Sequence, residues 1–272
     1  MRQKTILYGL LAILLIIFIF SGLLYIDERK DDPVISTSIK VPETPSELTI
    51  FSYNINHGVD RSGKCNLDRI VSLINEKGAD IAGFNEVDKR MLRTTFKDQA
   101  RIISEKTGMN YVFAPNLKRF TGTYGNALLS RFPILKAENH KLPQIKNNEA
   151  RGLLDATLLL PDNQKLRVLV THLSVKSPER VLQLAWLENY IKKIEEPFFL
   201  LGDFNQEIET LLELEPLIDN IKTYPANKPE NHIDHIFSNI NIPSYQGAVI
   251  FSQASDHLPL WFTTEGDKLF KH

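Results

Sequence analysis

Residues 200–206 read LLGDFNQ, and the meaning of that stretch decides the fold. The run PFFLL that leads into it (residues 197–201) has the length and composition of a buried strand, so Asp203 and Asn205 stand where the strand would surface. Gly, Asp and Asn are also turn formers, and taken alone the stretch reads equally well as a turn or as a strand end carrying two oxygen-bearing side chains. The rest of the chain separates the two readings.

Working outward, the same layout recurs. LTIFSYN (48–54) alternates and is rich in strand formers, and DIAGFNE (80–86) predicts a second strand. Between them Leu67, Ile70, Val71 and Ile74 keep helical spacing until Gly78 stops them. YVFA (111–114), GNALLS (125–130), GLLDATLLL (152–160) and LRVLVTH (166–172) are further strands, the last two joined by the turn PDNQ into an antiparallel hairpin. Ser177 before Pro178 predicts a capped helix start, and Val181, Leu184, Leu187, Ile191 and Ile194 continue it. HIDHIFSN (232–239), AVIFS (248–252) and HLPLWFTT (257–264) are late strands. Helices alternate with strands while hairpins also occur, which predicts mixed β-sheets covered by helices in an α/β fold.

The N-terminus is a different material. Residues 6–26 carry no charge, and 1.5 Å per residue takes such a helix across a hydrocarbon core of about 30 Å. The run exceeds the roughly 7–15 apolar residues of a cleaved signal, so residues 1–27 are expected to be an uncleaved membrane anchor. Its short basic head, Arg2 and Lys4, suggests an export signal that places the following domain outside the cytoplasmic membrane. Residues 28–46 are polar, hold three prolines and predict a flexible tether, with the folded domain at 47–266 and a short tail at 267–272.

Net charge is −1, so no global basicity draws the chain onto polyanions. A single cysteine, Cys65, excludes an intramolecular disulfide, and no Cys/His zinc spacing is present. What stands out instead is polar chemistry at strand ends: Asn54 and Asn56, Glu86, His172, Asp203 and Asn205, Asp234, Asp256 and His257. Gathered carboxylates repel unless a cation neutralises them, and oxygen donors without cysteine suit a hard divalent ion. Histidines beside such an ion serve as proton carriers or as donors to a phosphate. That inventory is the one phosphoryl transfer to water requires.

SYNINHG, FNEVD, YGNALLSRFPI, RGLLDATL, VTHLS, LLGDFNQ, IDHIFSN and SDHLPL occur in the order of the endonuclease/exonuclease/phosphatase superfamily, which the chain resembles over residues 48–264. The resemblance implies a four-layered α/β/β/α sandwich with the site at one end of two facing sheets. It implies Glu86, Asn54 and Asp256 as the metal side, with magnesium as the cofactor and manganese or calcium as alternatives. Asp203 and Asn205 would align water and hold phosphate, His257 would be the catalytic histidine oriented by Asp234, and His172 the other site histidine. Asn126, with Asn205 and His172, falls on the phosphate side, whereas Arg131 is left out of the site. Asn85 stands where glutamine is common, which implies altered positioning. Asn56, where some relatives carry aspartate, leaves the number of metal ions open.

His140, His232 and His235 are read as surface or structural residues, and Lys118 and Arg119 as rim or solvated cations. The substrate stays open between a lipid head group, nucleic acid and a small phosphate ester, and no obligate protein partner is expected. The reading from another class is a surface adaptor that keeps the fold without catalysis.

Overall fold

The computed structural model describes residues 32–266, apart from 39, 44 and 61. The expected anchor and the C-terminal tail therefore lie outside the described residues. Among the described residues no helix is long and apolar enough to cross a membrane. One sheet has seven strands: β1 (Val34–Ser36), β2 (Glu47–Asn54), β3 (Ile81–Lys89), β4 (Asn110–Arg119), β5 (Gly122–Ser130), β11 (Tyr245–Val249) and β12 (Leu260–Glu265). Their order is β1-β4-β5-β3-β2-β12-β11. The other, in the order β10-β9-β8-β7-β6, is built from β6 (Ile134–Lys141), β7 (Gly152–Leu159), β8 (Lys165–His172), β9 (Phe198–Asp203) and β10 (Asp234–Ser238). Both sheets are mixed, with β2 parallel to β3 and β8 parallel to β9.

The period-2 pattern of the strands produces the layers. Leu48 and Ile50 of β2 join Ile81, Val112 and Leu128 in facing Val168, Val170, Phe199, Leu201 and Ile236 of the other sheet, and this seam is fully buried. The alternate positions Phe51, Tyr53, Ala82 and Phe84 pack outward on α1 (Leu67–Lys77) and α2 (Gln99–Thr107) through Ile70, Ile74 and Ile103. On the far side Phe198, Leu200 and Phe237 pack on α3 (Ser177–Ile191) through Leu187 and Ile191. The order is helix, sheet, sheet, helix. Each buried Leu, Ile or Phe contributes about 1.5–3 kcal/mol. All three cores are drawn from between Leu48 and Phe262, so the unit Asp32–His272 carries its own core.

Several expectations need correction. Within the expected tether, β1 pairs with β4, Val34 opposite Phe113 and Ser36 opposite Tyr111. Two β-branched or apolar residues, Val34 and Ile35, suffice for a short edge strand. Ser177 is inside α3, the cap residue is Lys176, and no side chain caps that end. Ser174 Oγ, two residues before the cap, instead accepts from Lys176 N. β11 is displaced toward its N-terminus relative to AVIFS, leaving Phe251 exposed. Gly78 does stop α1, in the left-handed conformation that glycine adopts without a Cβ penalty.

Candidate active site

The seam between the sheets ends in polar residues because the inward register of each strand continues past its apolar part. Asn54 follows Leu48 and Ile50 at even spacing, His172 follows Val168 and Val170, Asp203 follows Phe199 and Leu201, and Asp234 precedes Ile236. Glu86 has the opposite parity, that of Ala82 and Phe84, whose side chains face the helices. A β-bulge between Phe84 and Val87, with Glu86 at φ 59°, re-aims it toward the site. Gly202, at φ 145°, lets β9 press against β8, since a Cβ there would overlap the Thr171 carbonyl. His172 and Asp203 are register partners across that junction.

The Asn54 amide joins the two halves, donating to Glu86 Oε1 at 3.2 Å and to Asp203 Oδ2 at 3.0 Å. Asp203 Oδ1 accepts from Asn205 N at 2.8 Å, and Asn205 Nδ2 is held by the Leu173 carbonyl. Two imidazoles face Asp203 Oδ2: His172 Nε2 at 3.4 Å and His257 Nε2 at 3.6 Å. His257 Nδ1 donates to Asp234 Oδ2 at 2.8 Å, and the Tyr224 ring lies 4.8 Å from the imidazole. Asp256 sits on the loop before β12, where its carboxylate accepts from Ser255 Oγ at 3.2 Å.

Burial and like charge set the electrostatics. Burial, then the Asp234 carboxylate, pushes Asp203 from 3.8 up to about 7, against the opposing pull of His257 and Asn54. Burial alone would lower His257, but Asp234, Asp203 and Asp256 outweigh it and raise the imidazole to about 10. His257 is therefore an imidazolium at neutral pH. His172 is the opposite case: burial, then Arg151, then His257 hold it well below 6.5. Arg151 Nη1 lies 2.7 Å from His172 Nδ1, and a guanidinium can only donate. The neutral ring thus carries its proton on Nε2, and its 3.4 Å approach to Asp203 is that of a neutral N–H facing a carboxyl rather than an ion pair.

Two of the expected residues play parts the sequence did not indicate. Asn126 gives both amide hydrogens to protein, to the Gly152 and Val170 carbonyls, so it braces the seam and has no donor left for a phosphate. Asn85 bonds Asn126 Oδ1 and the Thr171 carbonyl and accepts from Asp203 N, which makes it the brace that sets the height of Asp203. Arg131 binds Asp80, just before β3 begins and at the end remote from Glu86. His140 meets Tyr190, and His235, which burial lowers to about 4, meets the Gln206 carbonyl. Both are structural.

Sequence reasoning passed over His57 and Arg151. His57 Nε2 is 3.4 Å from Glu86 Oε2, and burial lowers the ring despite that carboxylate. Both residues lie inside quoted motifs, SYNINHG and RGLLDATL, and a charged residue abutting a buried strand was the signal for Arg151.

The donor set suits a hard cation. Glu86, 21% exposed, and Asp256, half-buried, are the site carboxylates that keep some exposure, as an ion that retains waters requires. The tightest group is another, Asp203, Asp234 and His257, whose ligand atoms lie within 4.8 Å of one another. Oδ2 of both carboxylates in that group faces an imidazole, so it is arranged for proton transfer more than for holding an ion. Asp234 Oδ1 is buried without a hydrogen-bond partner, the kind of atom a substrate or hydrated ion satisfies.

Comparison with known proteins agrees with this architecture. The chain is similar to the uncharacterized protein YbhP of Escherichia coli, with 28% identity over 169 residues, 56% of this chain and 66% of YbhP. It thus spans just under two thirds of that relative. It is 27% identical over 179 residues to protein cwh43 of Schizosaccharomyces pombe, 63% of this chain but 18% of that protein. Among solved structures, Bacteroides thetaiotaomicron mannosyl-6-phosphatase superposes with a TM-score of 0.63 at 18% identity, over 79% of this chain and 98% of that one. A humanized D. rerio TDP2 gives 0.63 at 19%, over 80% and 99%. At such identities the superpositions show the fold alone. The family model described as endonuclease/exonuclease/phosphatase matches residues 51–257, from the middle of β2 to His257, and the chain belongs to that family.

Proposed function

We propose that this chain is a divalent-metal-dependent hydrolase of phosphate esters, a phosphodiesterase, tethered by residues 1–27 to the outer face of the cytoplasmic membrane. The observation that carries the catalytic reading is the Asn54 bridge, which places Glu86 and Asp203 together while two imidazoles of opposite protonation face Asp203. Members of the family are hydrolases acting on phosphate esters. An adaptor would have no use for the buried, mutually repelling pair Asp203 and Asp234, which costs stability unless chemistry needs it.

A water on the cleft side of Asp203 attacks phosphorus and gives its proton to the carboxylate, whose pKa of about 7 suits a general base at neutral pH. As the bond from phosphorus to the leaving oxygen breaks, the His257 imidazolium supplies the proton that oxygen takes up. Asp234 stabilises the charged ring before that transfer. His172 does not titrate in this range and acts as a fixed Nε2–H donor to a phosphoryl oxygen. Glu86, Asn54 and Asp256 are the residues that would hold magnesium, or manganese or calcium, which when bound offsets negative charge on the phosphoryl oxygens.

The test is hydrolysis of bis-p-nitrophenyl phosphate, phospholipid and nucleic acid by the unit Asp32–His272 with each metal and with chelator. Metal-dependent turnover that His257→Ala cuts by about 10²- to 10⁴-fold supports the mechanism. Near-normal rates in that variant would remove it. A nucleic-acid substrate would reveal itself through steep salt dependence.

A further inference from the structure

Near the site, two loops form a lobe whose composition differs from the rest of the protein. The chain leaves the bulged strand β3 through residues 89–97, and the β4–β5 hairpin turns at residues 116–123. The two pack together, since Leu92 N donates to Thr121 Oγ1 at 3.2 Å and a Cβ on Gly122 would overlap the Arg90 backbone. These seventeen residues hold six cations, Lys89, Arg90, Arg93, Lys97, Lys118 and Arg119, in a chain of net charge −1; the flanking carboxylates Asp98 and Asp88 pair with Lys89 and Arg93, so the charge offered to a partner rests chiefly on Arg90, Lys97 and Arg119. On the same lobe Phe120 is 80% exposed, Leu92 61% and Phe96 56%.

The loop is rigid in its own right. Arg90 N bonds the Lys97 carbonyl, Phe96 N bonds the Met91 carbonyl, and Thr94 Oγ1 reaches the buried Asp88. Its apolar side chains are thus held outward on a closed frame while Met91 and Thr94 fill the interior. Large apolar groups displayed together with clustered cations are the pattern of an interfacial lipid contact: the apolar groups enter the headgroup boundary and the cations meet lipid phosphates. Aliphatic Leu92 has no stacking face, which favours a bilayer over single-stranded nucleic acid.

Where the chain enters the fold gives an independent argument. β1 runs antiparallel to β4 with Val34 opposite Phe113, so Asp32 lies toward the end of the sheet where β4 runs out to the hairpin. The described chain therefore begins at that end of the sheet. Asn54 and Glu86, at the outgoing ends of β2 and β3, share it.

We infer that the 89–97 and 116–123 loops form a docking surface for an anionic phospholipid bilayer. The surface is distinct from any N-terminal anchor and turns the mouth of the site toward the lipid headgroups. That the hydrolysed ester is itself presented at the bilayer rests on the hydrolase reading above; the docking does not.

The experiment is co-sedimentation of the unit Asp32–His272, which lacks residues 1–31, with vesicles of phosphatidylcholine alone or mixed with phosphatidylglycerol. Binding to the mixed vesicles is expected, weakening about fivefold for each cation removed in Arg90→Gln and Arg119→Gln. The double variant Leu92→Ser/Phe120→Ser should weaken it about tenfold or more while leaving hydrolysis of soluble bis-p-nitrophenyl phosphate unchanged. Circular dichroism certifies the fold, so failure to dock and failure to hydrolyse give separate results. No vesicle binding, equal binding to neutral vesicles, or binding indifferent to the apolar variant overturns the proposal. Capture of a single-stranded oligonucleotide in place of vesicles, lost in Arg119→Gln, does the same and assigns the lobe to nucleic acid.

Discussion

Replacing Asp234 by asparagine isolates the charge that keeps His257 protonated. The two side chains meet at 2.8 Å, and both are almost wholly buried. The rise of His257 from 6.5 to about 10 is equivalent to about 5 kcal/mol in favour of the imidazolium, with Asp234 the largest contributor against the cost of burial. A folded-state value above the unfolded one means that the stabilisation is fully present below 6.5 and is lost as pH rises through about 10. The metal-free wild-type unit should therefore lose unfolding free energy steadily across that window. In Asp234→Asn burial governs the ring, the titration drops below 6.5, and the alkaline loss disappears. At neutral pH the variant should be less stable by about 3 kcal/mol, because a buried pair is broken from one side. Turnover should fall by about 10²- to 10⁴-fold as the leaving oxygen loses its proton donor. Urea melts at a series of pH values, nitrogen-15 NMR of the imidazole, and kcat on a soluble diester read the three effects. A variant whose His257 still titrates near 10, or whose turnover is unchanged, would refute the reasoning.

Other perturbations probe separate parts of the site. Arg151→Met removes the donor at His172 Nδ1, so the ring should titrate closer to 6.5 and lose its fixed tautomer by NMR, with kcat down about tenfold or more; an unaltered tautomer would show that Arg151 does not set it. Glu86→Gln should raise the half-saturating magnesium concentration at least about tenfold, read by calorimetry as well as by rate. Gly202→Ala should cost about 3 kcal/mol or more in urea melts, since both its φ and the Thr171 carbonyl exclude a side chain. Asp203, raised to about 7, stabilises the metal-free fold fully below 3.8 and loses that contribution as pH rises through 7. Magnesium should accordingly lift Tm more at about pH 8 than at about pH 6, because the Asp203 carboxylate, ionised at the higher pH, adds negative charge beside the residues that would hold the ion.

The inward parity of the strands was legible without coordinates. Alternation in LTIFSYN and LRVLVTH, continued into PFFLLGD, assigns Asn54, His172 and Asp203 to one face, and the ordered motifs give the family. Nothing local announced that Val34 and Ile35 would close a sheet edge, because three-residue strands are stabilised by their partner rather than by their own pattern. Likewise Asn85 and Asn126 look like site residues in sequence and become braces only when the two sheets meet.

The sequence by itself determined which residue types were available and on which face of each strand they fall, since a period of two is a local property of the backbone. The tertiary structure alone decided that a bulge turns Glu86 against its parity and that burial with Arg151 holds one imidazole neutral while Asp234 charges the other. It also brought the basic, apolar-tipped loops together near the site. The reason is that protonation and side-chain direction depend on distances between strands far apart in the chain, and those distances exist only once the two sheets have packed.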